Sequence, residues 1–185
     1  MTIKTERPSI EESLEDLLGK PALLKSENAR DYERLRAAIE REMDPKSIFD
    51  KIRIQDLTDK VWEERRLKRS QAALIEGALV QSLAMLFAPY YGENLEAALE
   101  TAQNYYSGVP EKVRRAEELL VQLGITSEQI EANAMHVRSL GLQMLDRMIM
   151  SRETLRNSIV KDHERRKRKA EKAKRRTAIN DNAPA

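Results

Sequence analysis

The segment TSEQIEANAMHVRSLGLQMLDRMIMSRETLRNSIV, residues 126–160, contains no proline and repeats apolar residues at intervals of three and four. Those intervals place the apolar side chains on one face of an α-helix, with the heptad-like rhythm of helices that pack side by side. Thr126 is a favourable N-cap. The segment therefore predicts a long helix with one apolar seam. The candidate residues for an oligomer seam are Ile130, Val137, Met144, Met148, Leu155 and Ile159.

Three methionines in this segment, Met144, Met148 and Met150, leave a second interpretation open. Methionine is flexible and polarizable, so a face rich in it also suits an adaptable binding surface. A core or an oligomer seam is the more common role of such a stripe, and we take it as the expectation.

The rest of the chain has the same helical character. Leu, Ala, Glu, Arg and Lys are good helix formers and dominate the 185 residues, whereas Gly and Pro number six each. Shorter helices are expected over about Asn28 to Met43, Glu93 to Ser107 and Pro110 to Leu123. We predict an all-α protein of about six helices, two of them long, over about 46–87 and 127–175, in an extended or coiled-coil-like bundle.

Four parts follow one another along the chain. Ser9 and Glu12 form a capping-box pattern and Gly19 ends the apolar residues that follow, so residues 1–20 are predicted to form a short helix. A helical body then covers 21–160, and a basic helical extension covers 161–176. Residues 177–185 are predicted to be a disordered tail.

The segment HERRKRKAEKAKRR, residues 163–176, has nine Lys or Arg residues among its fourteen. From Lys161 onward, ten basic and four acidic residues give a net charge of +6, which leaves −4 for the residues before it. Such a block of cations favours binding to an acidic polymer, with nucleic-acid phosphates as the first candidate. The candidate phosphate-binding residues are Arg165, Arg166, Lys167, Arg168, Lys169, Lys172, Lys174, Arg175 and Arg176.

Three interpretations of this basic segment remain open. Binding to DNA or RNA would be salt-sensitive and indifferent to sequence, and base stacking is not expected because no aromatic residues interleave. A solubilising helix end is equally favoured, because the helix dipole attracts cations to a C-terminus. An acidic protein or membrane surface is the third interpretation, although the lack of large apolar residues argues against an amphipathic membrane helix.

No reaction is indicated by the sequence. The chain has no cysteine, which excludes disulfides and thiolate metal ligands. His136 and His163 belong to no metal-binding or nucleophile motif, and no glycine-rich phosphate-binding motif occurs. We therefore expect a protein that is not an enzyme and that uses neither a metal nor a cofactor.

One segment, LLVQLGITSEQIEANA, residues 119–134, has the Leu-Gly-Ile-Thr turn of helix-turn-helix motifs. Leu120 is bulky where the first helix normally has a small residue. The second helix would begin with Glu128 and carries no cation before Arg138. Because carboxylates repel phosphate, a plain helix–glycine–helix connection is the expectation.

A further pattern spans residues 21–70. Its features are Leu24, Glu27, Tyr32, Leu35, Pro45, Trp62, Arg65, Arg66 and Arg69. This Tyr…Pro…Trp-x-x-Arg-Arg pattern resembles a large group of uncharacterised bacterial helical proteins. Many of them carry a basic segment at the front, where this chain has an acidic one. The resemblance implies a bacterial origin and a helical fold, and no established activity.

The expected location is the cytoplasm. The N-terminal residues lack a basic start followed by an apolar run, so no signal peptide is expected. Gln81 and Ser82 interrupt the apolar stretch Leu79–Phe87, which is far shorter than the roughly 20 residues of a membrane span. We predict a non-catalytic helical protein that interacts with itself or with another helical protein. The alternative is a nonspecific nucleic-acid-binding accessory protein that uses the basic extension.

Overall fold

The computed structural model describes residues 19–181, apart from the side chains of residue 174 and residues 176–181. The short helix predicted over residues 1–20 falls almost entirely on residues 1–18, outside the described part, as do residues 182–185 of the predicted tail.

The described residues form α-helices joined by short turns and contain no strand. The helices are α1 (Ala29–Met43), α2 (Ile48–Glu76), α3 (Leu79–Phe87), a 3₁₀ turn (Ala88–Tyr91), α4 (Leu95–Tyr105), α5 (Pro110–Leu123), α6 (Ser127–Val137) and α7 (Ser139–Asp181). This confirms the all-α fold class predicted from the sequence.

Each of the two predicted long helices carries one break. The first is interrupted between α2 and α3 at Gly77, a residue that weakens a helix because it has the greatest backbone freedom. The second is interrupted at Arg138, whose φ of −103° and ψ of 15° depart from helical values. No breaking residue marks this second position. The last helix also continues to Asp181, so it includes the first five residues of the segment 177–185 that we predicted to be a disordered tail.

The chain divides into two compact units, whereas the sequence suggested one body over 21–160. The first unit comprises the described residues up to Glu64 together with those from Arg152 onward. The second unit is Arg65–Ser151. The boundaries fall inside α2 and α7, and the boundary in α2 lies within the charged segment EERRLKRSQ, residues 63–71, which separates two more apolar segments.

In the first unit, α1 packs against the beginning of α2 and the C-terminal part of α7. Its small core is formed by Met43, Ile54 and Leu57, and Ile159 of α7 packs against them. The rings of Tyr32 and Trp62, both buried, meet edge to face with centroids 5.5 Å apart. The other partly buried members are Ile39 and Val61.

Ion pairs and helix caps add to this core. Glu63 and Glu64 of α2 pair with Arg152 and Arg156 of α7, and the Glu64 side chain is only 8% exposed. Asn28 caps α1 by accepting a hydrogen bond from Arg30 N. These contacts explain why helices with few large apolar residues pack in a defined register.

The second unit has the larger core. α3 is its most apolar helix, and Leu83 and Phe87 are fully buried there. Ala98 and Ala102 of α4 face it with no exposed surface, and such small residues let two helices approach closely. The other members of this core are Ala84, Ala88, Leu119, Leu120 and Ile130.

A buried hydroxyl ties α3 to α6 within this unit. Ser82 Oγ donates to the backbone carbonyl of Ile130 at 2.6 Å, and Asn133 Nδ2 donates to the carbonyl of Ser82 at 3.1 Å. Ser82 interrupts the apolar residues of α3 in the sequence. In the structure, the same residue fixes the position of α6. Its polar atom is satisfied, as buried hydroxyls require.

One helical stretch of the described residues, Ile48–Tyr91, is long and apolar enough to cross a membrane by length and composition alone. Its most apolar window has a mean hydropathy of 1.5 and is 33% buried, and the core helix of a soluble protein passes the same test. The sequence-based expectation considered Leu79–Phe87 only. Between Arg69 and Glu93 the single charged residue is Glu76, so the apolar stretch is longer than that expectation assumed.

Candidate functional site

The basic extension is helical, and its described side chains point to solvent. From Glu164 onward, every described side chain is exposed. Lys167, Lys169, Lys172 and Arg175 are among them. Lys174 and Arg176 belong to the same helix, but their side chains lie outside the described part.

Asp162 lies at the base of this extension and contacts several arginines. It accepts from Arg165 Nη2 at 3.0 Å and from Arg166 Nε at 2.9 Å, and Arg53 Nη2 of α2 is 3.9 Å away. Desolvation alone would raise the pKa of Asp162, but Arg166 and Arg165 outweigh it and hold that pKa below its ordinary value. Asp162 therefore stays charged near neutral pH and pairs with two cations of the extension where α7 passes Arg53 of α2.

The predicted seam residues do not lie in one environment. Ile130 is 3% exposed and belongs to the core of the second unit, and Ile159 packs on the core of the first. Val137 is partly buried. Met144 and Met148 remain 66% and 44% exposed, and Leu155 in the first unit is 45% exposed. Of the predicted seam residues, only the exposed ones, Met144, Met148 and Leu155, are therefore accessible to a partner.

Sequence reasoning missed Leu140, which is 78% exposed at the beginning of α7. Leu140, Met144 and Met148 are spaced by four residues, so they lie along one side of the helix. The spacing to Met144 was visible in the sequence, but Leu140 fell outside the single three–four rhythm that began at Ile130. Because the helix is broken at Arg138, the spacing of apolar residues in α7 must be counted separately from that in α6.

A polar cluster in the first unit joins α1 to α2. Tyr32 Oη donates to Asp59 Oδ1 at 2.5 Å, and Gln55 Nε2 donates to Tyr32 Oη at 2.6 Å. Burial, followed by the hydrogen bond to Asp59, raises the pKa of Tyr32 far above its ordinary value. Trp62 Nε1 is buried nearby without a hydrogen-bond partner. A tyrosine kept neutral in this way stabilises the helix pair and is unsuited to proton transfer near neutral pH.

A cavity of about 420 Å³ lies in the second unit, between the 3₁₀ turn, α4 and α5. Tyr91 and Thr101 line it and share a hydrogen bond of 2.8 Å between their hydroxyls. Lys112 and Arg115 also line it, together with the carboxylates of Glu100 and Glu118. Because two cations and two carboxylates line the cavity, its charge favours neither an anionic nor a cationic ligand.

The segment that suggested a helix-turn-helix forms two helices around Gly124, whose φ of 65° is left-handed. Thr126 and Gln129 cap α6 reciprocally, and Glu128 is exposed in its first turn. Hydrogen bonds from its own backbone N–H and from Thr126 lower the pKa of Glu128. The end of α6 that would approach DNA therefore presents a carboxylate that remains charged.

Among residues 19–181, no group of three or more His, Asp or Glu side chains could hold a metal ion. No protein-family model matches the chain, and no curated protein or solved structure matches it. The resemblance over residues 21–70 therefore stays a prediction. The features that bear on function are the exposed apolar residues of α7 and the basic extension.

Proposed function

We propose that this chain is a non-catalytic helical interaction protein of the cytoplasm that associates with a second copy of itself. The surface would be the exposed apolar side of α7 in the second unit, formed by Leu140, Met144 and Met148. We call these three residues the apolar face. The observation that carries the proposal is their joint exposure, 78%, 66% and 44%, at a spacing of four residues.

Exposed apolar side chains favour association because water gains freedom when they are covered. Fully burying one Leu or Met side chain contributes about 1.5–3 kcal/mol. The three side chains are already partly buried, so each can contribute only the part of that energy that belongs to its exposed surface, and part of the sum offsets the entropy lost on binding. The face spans about 12 Å of straight helix, since eight residues rise 1.5 Å each. A second α7 offers a surface of the same length and chemistry, and a two-fold pair brings each face onto its own copy.

The test compares the native chain with two variants, each carrying three substitutions, by sedimentation velocity over a range of protein concentrations. The first replaces Leu140, Met144 and Met148 with glutamine. The control replaces Leu95, Leu99 and Val121, which are exposed apolar residues elsewhere in the same unit, with glutamine. We expect the native chain and the control to associate and the first variant to remain monomeric, with equal helical circular dichroism. A native chain that is monomeric at every concentration, or equal loss in both variants, would contradict the proposal.

A second candidate function is favoured by a separate observation. The basic extension is an exposed helix on which none of the described side chains beyond His163 is buried. Such a surface supports a role as a nonspecific nucleic-acid-binding accessory protein, in which cations replace the counterions of phosphates. Binding to labelled DNA and RNA should weaken steeply with salt and be lost when the chain is ended at Lys161. Equal binding without the extension would refute it.

A further inference from the structure

The cations of the extension are not spread evenly around the helix. One set follows the alternating spacing of four, three, four and three residues that keeps side chains on a single face. At 3.6 residues per turn the set occupies a sector of about 80°, and at 1.5 Å per residue it runs for about 21 Å. Its members are Lys161, Arg165, Arg168, Lys172 and Arg175, and we call them the basic stripe.

Acidic residues border this stripe, and the other cations lie partly beside it and partly away from it. By the same helical geometry, Glu164 and Glu171 lie along one edge and Asp162 along the other. Lys169 lies about 80° from the centre of the stripe, on the side of Asp162, whereas Arg166 and Lys167 lie more than about 100° from it. The extension therefore has one strongly positive face, which Glu164 and Glu171 limit on one side and which continues as far as Lys169 on the other.

All five members of the stripe are exposed. Arg165 contacts Asp162 at 3.0 Å and Arg168 contacts Glu164 at 3.7 Å, with arginine side chains 71% and 77% exposed. Exposed pairs of this kind contribute little to stability, because water and salt screen them. A phosphate can therefore replace either carboxylate at little cost.

We propose that the basic stripe binds the phosphates of a nucleic-acid duplex with this single face of the helix. The inference rests on the second proposed function, and it adds the binding face and the form of nucleic acid. Each strand of a duplex has one phosphate per about 3.4 Å of duplex axis, so about 21 Å of axis offers about six phosphates per strand as partners for the five cations. The phosphates of a duplex already have fixed positions, so binding to the stripe does not have to order them.

A single strand is the poorer ligand for the same surface. Proteins that hold single strands without sequence preference stack the bases on aromatic side chains. From residue 161 to residue 175 the extension has no Phe, Trp or Tyr. A flexible strand would also have to be straightened along the stripe, which costs conformational entropy that a duplex does not lose.

Binding should also stabilise the extension itself. Like charges four residues apart, such as Lys161 with Arg165 and Arg168 with Lys172, slightly destabilise an isolated helix. Phosphates between them remove that repulsion. We therefore expect the helical circular dichroism of the chain to rise when duplex is added at low salt.

The test uses the full chain and two variants of equal net charge. The stripe variant carries Arg168→Gln and Lys172→Gln, and the control carries Arg166→Gln and Lys167→Gln, which lie off the stripe. Fluorescence anisotropy measures binding to a labelled DNA duplex and to its single strand between 50 and 200 mM salt. A third arm measures binding to phosphatidylserine vesicles.

Five contacts give a slope of about −4.5 in log affinity against log salt, a loss of about 500-fold over that range. The stripe variant should have a slope of about −2.7, a loss of about 40-fold, and the control should keep the native slope. Duplex should bind more tightly than the single strand.

Equal slopes in the two variants, tighter binding of the single strand, or tighter binding of the vesicles would each overturn the inference. If the native chain binds no nucleic acid even at the lowest salt, the second proposed function itself fails.

Discussion

Replacing Tyr32 with phenylalanine would remove one hydroxyl from the first unit and leave the ring against Trp62. In the native chain that hydroxyl donates to the Asp59 carboxylate at 2.5 Å and accepts from Gln55 at 2.6 Å. A hydrogen bond to a charged group contributes about 1.5–3 kcal/mol. Gln55 still donates to Asp59 at 3.3 Å in the variant, which limits the loss. We expect the free energy of unfolding of the first unit to fall by about 2 kcal/mol.

Trp62 supplies the assay, because it is the single tryptophan of the chain and its ring centroid lies 5.5 Å from that of Tyr32. Its fluorescence during urea unfolding therefore reports the first unit. The matched control is Tyr106→Phe, since Tyr106 is 42% exposed in the second unit and should change stability by less than about 0.5 kcal/mol. A Tyr32→Phe loss no larger than that of the control would refute the reasoning.

The same hydroxyl gives the stability a defined dependence on alkaline pH. Burial and the neighbouring Asp59 raise the pKa of Tyr32 in the folded chain above that in the unfolded chain. The contribution is therefore complete below the unfolded value of about 10 and is lost progressively as pH rises above it. Native stability should decline more steeply than that of the phenylalanine variant above pH of about 10. Parallel pH curves for the two proteins would contradict this cause.

Two further changes test the helix contacts. Ser82→Ala removes the hydrogen bond of 2.6 Å to the carbonyl of Ile130, and urea unfolding followed by circular dichroism should show a loss of about 1 kcal/mol. An unchanged midpoint would mean that the hydroxyl does not hold α6. Asp50→Ala removes a cap at the beginning of α2, where Asp50 accepts from Ser47 N at 3.1 Å and Lys46 N at 3.2 Å, and should cost about 1 kcal/mol at neutral pH. Burial alone would raise the pKa of Asp50, but these hydrogen bonds hold it below its ordinary value, so the difference from the native chain should vanish as pH falls through that lowered pKa. A difference that persists in acid would show that the carboxylate charge is not its source.

Local features of the sequence predicted the individual helices well. Thr126 is an N-cap in the structure and Gly124 ends α5, as the sequence predicted, and the helix expected from about Asn28 begins at Ala29 with Asn28 as its N-cap. Caps and turns depend on hydrogen bonds and backbone angles within a few residues. Such features can be read from a single chain without knowing what packs against it.

The candidate surfaces were predictable only in part. The positions and signs of the cations in the basic extension are fixed by the sequence, and their helical spacing defines the stripe once the helix is known to continue to Asp181. The apolar face required the structure, because the break at Arg138 has no local marker and separates the spacing of α7 from that of α6, and because exposure depends on what packs against α7.

The sequence by itself determined that the chain is helical, where most helices begin and end, and that its cations gather near residues 161–176. Only the tertiary structure decided which apolar residues are covered. Ile130 and Met144 share the same periodicity, yet the first is 3% exposed and the second 66%. Periodicity places a side chain on a face of its helix, whereas burial depends on distant residues such as Ser82, whose hydroxyl holds α6 against α3. That pairing joins residues 48 positions apart in the chain, a separation that no local pattern encodes.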